Sequence, residues 1–138
     1  MGVGVVFLLA LVIVMGAVLF MLVALTKRGG KLNVEKYRVK WLEIERSLVQ
    51  GSESSYIVAV LNADKLVDQA MKDLGISGNT MGERLKSAKD KFSHRNDLWT
   101  SHKLRNQLAH EDGVKINYNQ ARRALAGFKR ALKDLGAI

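Results

Sequence analysis

The architecture is decided by the apolar run from Val3 to Leu25, VGVVFLLALVIVMGAVLFMLVAL, which contains no charged side chain. As a helix it would be roughly 34 Å long, enough to cross a hydrocarbon core of about 30 Å. A helix that is apolar on every face does not fit in the small core that the remaining residues can build. The run therefore predicts a single membrane-spanning helix. A cleaved signal peptide is the alternative, but no basic segment precedes the run and no Ala-x-Ala site follows it.

Basic residues dominate the segment that follows this run. Up to residue 40 they are opposed only by Glu35: Lys27, Arg28, Lys31, Lys36, Arg38 and Lys40. The positive-inside rule then places the rest of the chain in the cytoplasm, on the inner face of a plasma membrane. We expect residues 1–30 to form the anchor with its basic flank. The flank is either a simple stop-transfer signal or a site that recognises anionic lipid.

The chain beyond the anchor is strongly basic. The sequence has 22 Lys and Arg against 13 Asp and Glu, a net charge of +9, and all of this charge follows residue 26. Such an excess favours anionic partners, either nucleic acid or membrane headgroups. The sequence has no proline, which suits a helical chain, and no cysteine, which excludes disulfides. With only three histidines, a zinc site is not expected.

Apolar residues recur at three- and four-residue steps through residues 31–138, which is the period of amphipathic helices. Glycines, possible caps at Ser52 and at Asn117 or Asn119, and a Thr80–Glu83 capping pair divide the segment. The predicted helices cover about residues 32–51, 53–74, 81–92, 96–111 and 119–135. Residues 114–118 alternate as a strand does, but they are too few to form a sheet. The sequence predicts an all-α fold, a bundle of four or five antiparallel helices.

The most informative segment is HKLRNQLAHE, residues 102–111. At 100° per residue, four of its polar side chains share an arc of roughly 140°: His102, Arg105, Asn106 and His110. Leu104 and Leu108 fall on the opposite side of the helix. We therefore expect the leucines to face the core and the opposite face of the helix to concentrate the imidazoles, the guanidinium and the amide.

These groups suit the cleavage of RNA. The ribose 2′-hydroxyl can attack the adjacent phosphorus, and an imidazole can carry the protons. An arginine can bind two phosphate oxygens and stabilise the extra negative charge of the transition state. The alternative is structural, because an imidazole in the last turn of a helix complements the dipole and an arginine can pair with a surface acid.

The stretch Arg105-Asn106-Gln107-Leu108-Ala109-His110 resembles the signature of the HEPN superfamily. That signature is an arginine, a polar residue directly after it, and a histidine four to six residues beyond the arginine. Here Asn106 is the polar residue and four residues separate Arg105 from His110. The flanking His102 and Glu111 resemble the extended form of the motif. Residues 63–68 and 82–86 also resemble the family, so the likeness spans about residues 53–135.

The resemblance implies a four-helix bundle that forms a homodimer, with the two motifs facing each other across a cleft. It implies a metal-independent endoribonuclease without a cofactor, often a toxin or defence effector, that acts on RNA. Arg105 and His110 would be catalytic, with His102, Asn106 and Glu111 in support. Some members of the family have lost activity. The alternative is therefore a non-catalytic, membrane-anchored adaptor or dimerisation module that binds a protein, RNA or nucleotide. An antitoxin or another protein partner stays open.

Three further side chains are weaker candidates for this site. Asp64 and Asp68 lie one turn apart on the second helix of the domain. This spacing is typical of an exposed or helix-bridging pair, and the alternative is that the two carboxylates assist the motif. Trp99 falls on the motif face, where packing at a dimer interface is favoured over stacking on a base.

Overall fold

The computed structural model describes residues 2–26 and 30–138, and within these ranges it is all-helical. The elements are α1 (Val3–Thr26), α2 (Val34–Ser47), α3 (Glu53–Asp73), α4 (Met81–Ser87), a 3₁₀ turn (Lys89–Lys91), α5 (Arg95–His110) and α6 (Tyr118–Asp134). The predicted all-α fold is confirmed. The predicted basic flank lies partly outside the described residues, at Lys27 and Arg28.

Helix α1 is long and apolar enough to cross a membrane. From Val3 to Leu25 it has a mean hydropathy of 3.2, and none of this segment is buried against the rest of the chain. A helix of this length in a soluble core would be covered by its neighbours, whereas α1 is exposed along its length among the residues that the structure describes.

Helix α3 lies at the centre of the folded domain and contacts α2, α4, α5 and α6. These helices are amphipathic, and their apolar faces meet in one core. The largest fully buried side chains of this core are Tyr37, Val60, Val67, Met71, Leu85, Leu98, Phe128 and Leu132. Since this core holds residues from all five helices, the domain from Val34 to Asp134 folds around one centre.

Local capping sets most of the helix boundaries. The Ser52 side chain accepts from the backbone N–H of Ser55, and Asn117 forms a capping box with Gln120, as expected for these caps. Thr80 accepts from the N–H of Glu83, whereas the Glu83 carboxylate accepts from the N–H of Asn79 at 2.6 Å rather than from Thr80. The predicted capping box of α4 is therefore only half formed.

Two predicted boundaries differ from the structure. Helix α2 ends at Ser47, not at residue 51, because Leu48 is already extended and the Ser47 hydroxyl donates to the carbonyl of Ile44. Helix α4 ends at Ser87, and the chain continues to Lys91 as a 3₁₀ turn.

Helices α5 and α6 approach each other closely at Gly127. A Cβ atom built on Gly127 would lie 2.6 Å from Ser101 Oγ and 3.3 Å from the carbonyl oxygen of Asp97. The absence of a side chain at Gly127 therefore permits the short distance between α5 and α6.

Candidate functional site

An open cleft of about 810 Å³ lies where α3, α4 and α5 meet. Four of the five candidate residues on α5 line it: His102, Arg105, Asn106 and His110. Residues of α3 form the opposite wall, among them Asp64, Lys65 and Asp68. The structure therefore brings most of the sequence motif together on one surface.

The deepest contact in the cleft joins Asp64 of α3 to His102 of α5. Asp64 is 3% exposed and His102 is 7% exposed, and Nδ1 of the imidazole lies 2.7 Å from the Asp64 Oδ1 atom. A buried carboxylate is costly unless it is paired. This pair therefore fixes the imidazole and also ties α3 to α5.

Arg105 and Asn106 extend this pair into a closed ring of contacts. Arg105 Nε lies 3.3 Å from the other oxygen of Asp64, and its Nη1 donates to Asn106 Oδ1 at 2.9 Å. The Nε–Asp64 contact is an ion pair without the alignment of a hydrogen bond. Asn106 Nδ2 lies 3.3 Å from His102 Nε2 and closes the ring.

The ring determines the tautomer of His102. Arginine can only donate, so Asn106 Oδ1 accepts from Arg105 and the amide nitrogen of Asn106 is left to donate. His102 Nε2 must then accept, which places the ring proton on Nδ1, where it is donated to Asp64. Both nitrogens of His102 are thus engaged within the chain.

His110 differs from His102 in both its exposure and its hydrogen bonding. It is the last residue of α5, it is exposed, and its ring forms no hydrogen bond with any residue in the described ranges. Its imidazole is therefore open to a molecule in the cleft. Glu111 is the exposed C-cap of α5 and does not line the cleft, and its supporting role stays a prediction.

The expected orientation of α5 is wrong in one respect. Leu104 and Leu108 pack against the core as expected, but His102, a member of the polar arc, is also buried. His102 turns inward because Asp64 offers it a buried partner. A sequence signal for this existed: Asp64 lies four residues after Val60 and three before Val67, within the apolar stripe of α3. A carboxylate in such a stripe requires a buried partner.

Asp68 has a structural role one turn further along α3. It accepts from Arg84 at 2.7 Å and pairs with Lys72 at 3.0 Å. The buried Arg84 also donates to the carbonyl of Gly78. Burial acts to raise the pKa of Asp68, but the hydrogen bonds from Arg84 and Lys72 outweigh burial and hold the pKa below its ordinary value. Asp68 is therefore a helix-bridging residue that secures α4 as a wall of the cleft.

Trp99 lies half-buried in the same cleft, one turn before His102. Its ring meets the imidazole of His102 edge-on, with centroids 6.0 Å apart. This contact helps to fix the imidazole plane. In residues 2–26 and 30–138 no cluster of three or more His, Asp or Glu side chains is arranged to hold a metal ion.

The fold and the cleft define an all-helical domain that follows an apolar helix long enough to span a membrane. No family model, no curated protein and no solved structure matches this chain.

Proposed function

We propose that this protein is a membrane-anchored, metal-independent endoribonuclease that cleaves cytoplasmic RNA. One observation carries the proposal: Arg105, held by Asp64 and Asn106, and the exposed His110 line the same open cleft. The resemblance of residues 105–110 to the HEPN motif supports the same function and adds a toxin or defence role. Helix α1 would hold the domain at the inner face of the membrane, with the cleft in the cytoplasm.

The geometry assigns phosphate binding to Arg105 and proton transfer to an imidazole. A guanidinium has five N–H donors. One faces Asp64 and one binds Asn106, so three remain to bind phosphate oxygens. The 2′-hydroxyl would lose its proton to an imidazole as its oxygen bonds to phosphorus, and the bond from phosphorus to the 5′ oxygen would break. Arg105 would stabilise the added negative charge.

His110 is the imidazole that we assign to proton transfer. His102 is a positioning residue, because its two nitrogens already bind Asp64 and Asn106. The departing 5′ oxygen also needs a proton. In the homodimer that the HEPN resemblance implies, the His110 of the second copy would supply it.

The test is RNA cleavage by the full chain in detergent micelles with EDTA. We expect a 2′,3′-cyclic phosphate product. His110→Ala should slow cleavage by at least 100-fold, the usual contribution of general acid–base catalysis. Gln107→Ala, on an exposed position of the same helix, is the matched control and should cleave as fast as the parent. Cleavage that needs a metal ion, or that survives His110→Ala, would refute the mechanism.

A non-catalytic adaptor is the second candidate. The observation that favours it is the same ring of contacts, because Asp64, His102, Asn106 and Arg105 join α3 to α5 whether or not chemistry occurs. In that case the parent would show no nuclease activity. Arg105→Ala would weaken self-association or partner binding, measured by sedimentation.

A further inference from the structure

The outer face of α2 carries apolar side chains that no residue in the described part of the chain covers. Beyond α1, four large apolar residues are about half exposed, and all lie between residues 39 and 58: Val39 (47%), Leu42 (48%), Val49 (56%) and Val58 (49%). Val39 and Leu42 are on α2, opposite the face that buries Tyr37, Trp41 and Ile44. Helix α2 is therefore apolar on its inner face and partly apolar on its outer face.

Basic side chains outnumber acidic ones on and just before this helix. Arg38 and Arg46 lie one turn from Leu42, and the exposed acids Glu35 and Glu43 lie one turn from Val39. Three exposed lysines add to the positive charge, two of them at the groove between α2 and α3: Lys31, Lys36 and Lys40. A third acid of the helix, Glu45, is paired with Lys129 of α6 at 2.7 Å. The segment thus combines exposed apolar groups with a net positive charge, as helices that lie in a membrane interface do.

The position of α2 in the chain limits what this face can meet. Nine residues lead from Leu25, the last apolar residue of the run, to Val34 at the start of α2. Even fully extended they span only about 30 Å. A protein whose α1 crosses a bilayer must therefore keep α2 within reach of the headgroups on that side.

We infer that the outer face of α2 docks on the bilayer that α1 spans, with Val39 and Leu42 at the acyl boundary and Arg38 and Arg46 among anionic headgroups. This inference rests on the anchoring part of the proposed function and is independent of the nuclease chemistry. The cleft is lined by described residues of α3, α4 and α5 and the turn before α4. Docking through α2 therefore fixes the domain and leaves the cleft open to the cytoplasm.

The chain has no cysteine, so one introduced cysteine can be labelled uniquely. The experiment places a fluorophore at Leu42→Cys in the full chain, reconstituted at one copy per nanodisc. Quenching by headgroup-labelled lipid then reports docking. Gln107→Cys, exposed on α5, is the matched site. We expect quenching at position 42 but not at 107 when the disc contains 30% phosphatidylglycerol.

The arginines should account for much of this preference. Each basic residue near an anionic surface strengthens association by roughly fivefold. The pair Arg38→Gln/Arg46→Gln should therefore lower the docked-to-undocked ratio about 25-fold. The pair Arg122→Gln/Arg123→Gln removes the same charge from exposed positions of α6 and should leave the ratio unchanged.

Co-elution of the protein with the disc reports insertion of α1 separately. If the protein co-elutes but label 42 stays unquenched, or is quenched equally with label 107, α2 docking is refuted while anchoring stands. If label 42 is shielded only in discs that hold two copies, the face contacts a second copy instead and the inference is wrong.

Discussion

Replacement of Asp64 by asparagine tests whether the buried carboxylate is the centre of the site. Asparagine keeps the shape but removes the charge that faces His102 at 2.7 Å and Arg105 at 3.3 Å. A hydrogen bond to a charged group contributes about 1.5–3 kcal/mol, against about 0.5–1.5 kcal/mol for a neutral one. The His102 contact should therefore weaken by about 1 kcal/mol.

Arg105 adds to this loss, but less than a fully buried arginine would. Its side chain is 32% exposed, so solvent screens part of the pairing. The side-chain N–H₂ of the introduced asparagine would also face the Nε–H donor of Arg105. One buried donor would then be unsatisfied, at a cost of about 1 kcal/mol or more. We expect Asp64→Asn to lower the free energy of unfolding by about 2–3 kcal/mol.

The assay is urea unfolding of the full chain in micelles, followed by tryptophan fluorescence. Trp99 is a built-in probe because its ring lies 6.0 Å from the ring of His102. Asp90→Asn, at an exposed position in the 3₁₀ turn, is the control and should stay within about 0.5 kcal/mol of the parent. If Asp64→Asn unfolds at the same urea concentration as Asp90→Asn, the ring of contacts does not stabilise the domain and our argument fails.

Three further variants test other parts of the structure. Gly127→Ala would place a Cβ atom 2.6 Å from Ser101 Oγ, so we expect a loss of about 1–3 kcal/mol in thermal unfolding; an unchanged midpoint would show that α5 and α6 separate easily. The lowered pKa of Asp68 means that its pairing with Arg84 stabilises the fold above about pH 3.8 and is lost as the pH falls through the lower folded-state pKa. In Asp68→Asn, the urea midpoint of unfolding should therefore fall less steeply than in the parent as the pH is lowered into the acid range. An equally steep fall would contradict this. The triple variant Leu11→Arg/Val14→Arg/Val18→Arg puts three charges in the central part of α1 at a cost of about 2.5–3.5 kcal/mol each, which together cancel the gain of about 0.3–0.6 kcal/mol from each Leu, Val, Ile and Phe of the run, so this variant should be released by alkaline extraction of membranes; full retention would argue against a spanning α1.

The helices were predictable from sequence where their signals are local. Ser52 and Asn117 cap α3 and α6 as expected, because a cap needs only residues within one turn. The end of α2 was not predictable in the same way. No glycine or proline marks Ser47, and the apolar period continues to Leu48, which packs on the core although it is no longer helical.

The arrangement of the site needed tertiary information. The motif spacing places Arg105, Asn106 and His110 on one side of α5, and all three line the cleft. Periodicity could not reveal that His102 turns inward, because its partner Asp64 is 38 residues away in the sequence. A helical wheel describes one helix alone, whereas the energy of burying a polar group depends on the helix opposite.

The engagement of His102 has a consequence for how this cleft could act. The chain has three histidines, and His94 is the N-cap of α5 while His110 is its last residue, so the length of the helix, roughly 24 Å, separates them. One copy therefore presents a single open imidazole to the cleft. Cleavage by 2′-hydroxyl attack moves two protons, one from the nucleophile and one to the leaving oxygen. On the mechanism that we propose, the second proton would come from the His110 of a second copy, and anchoring of α1 in a membrane would raise the local concentration at which two copies meet.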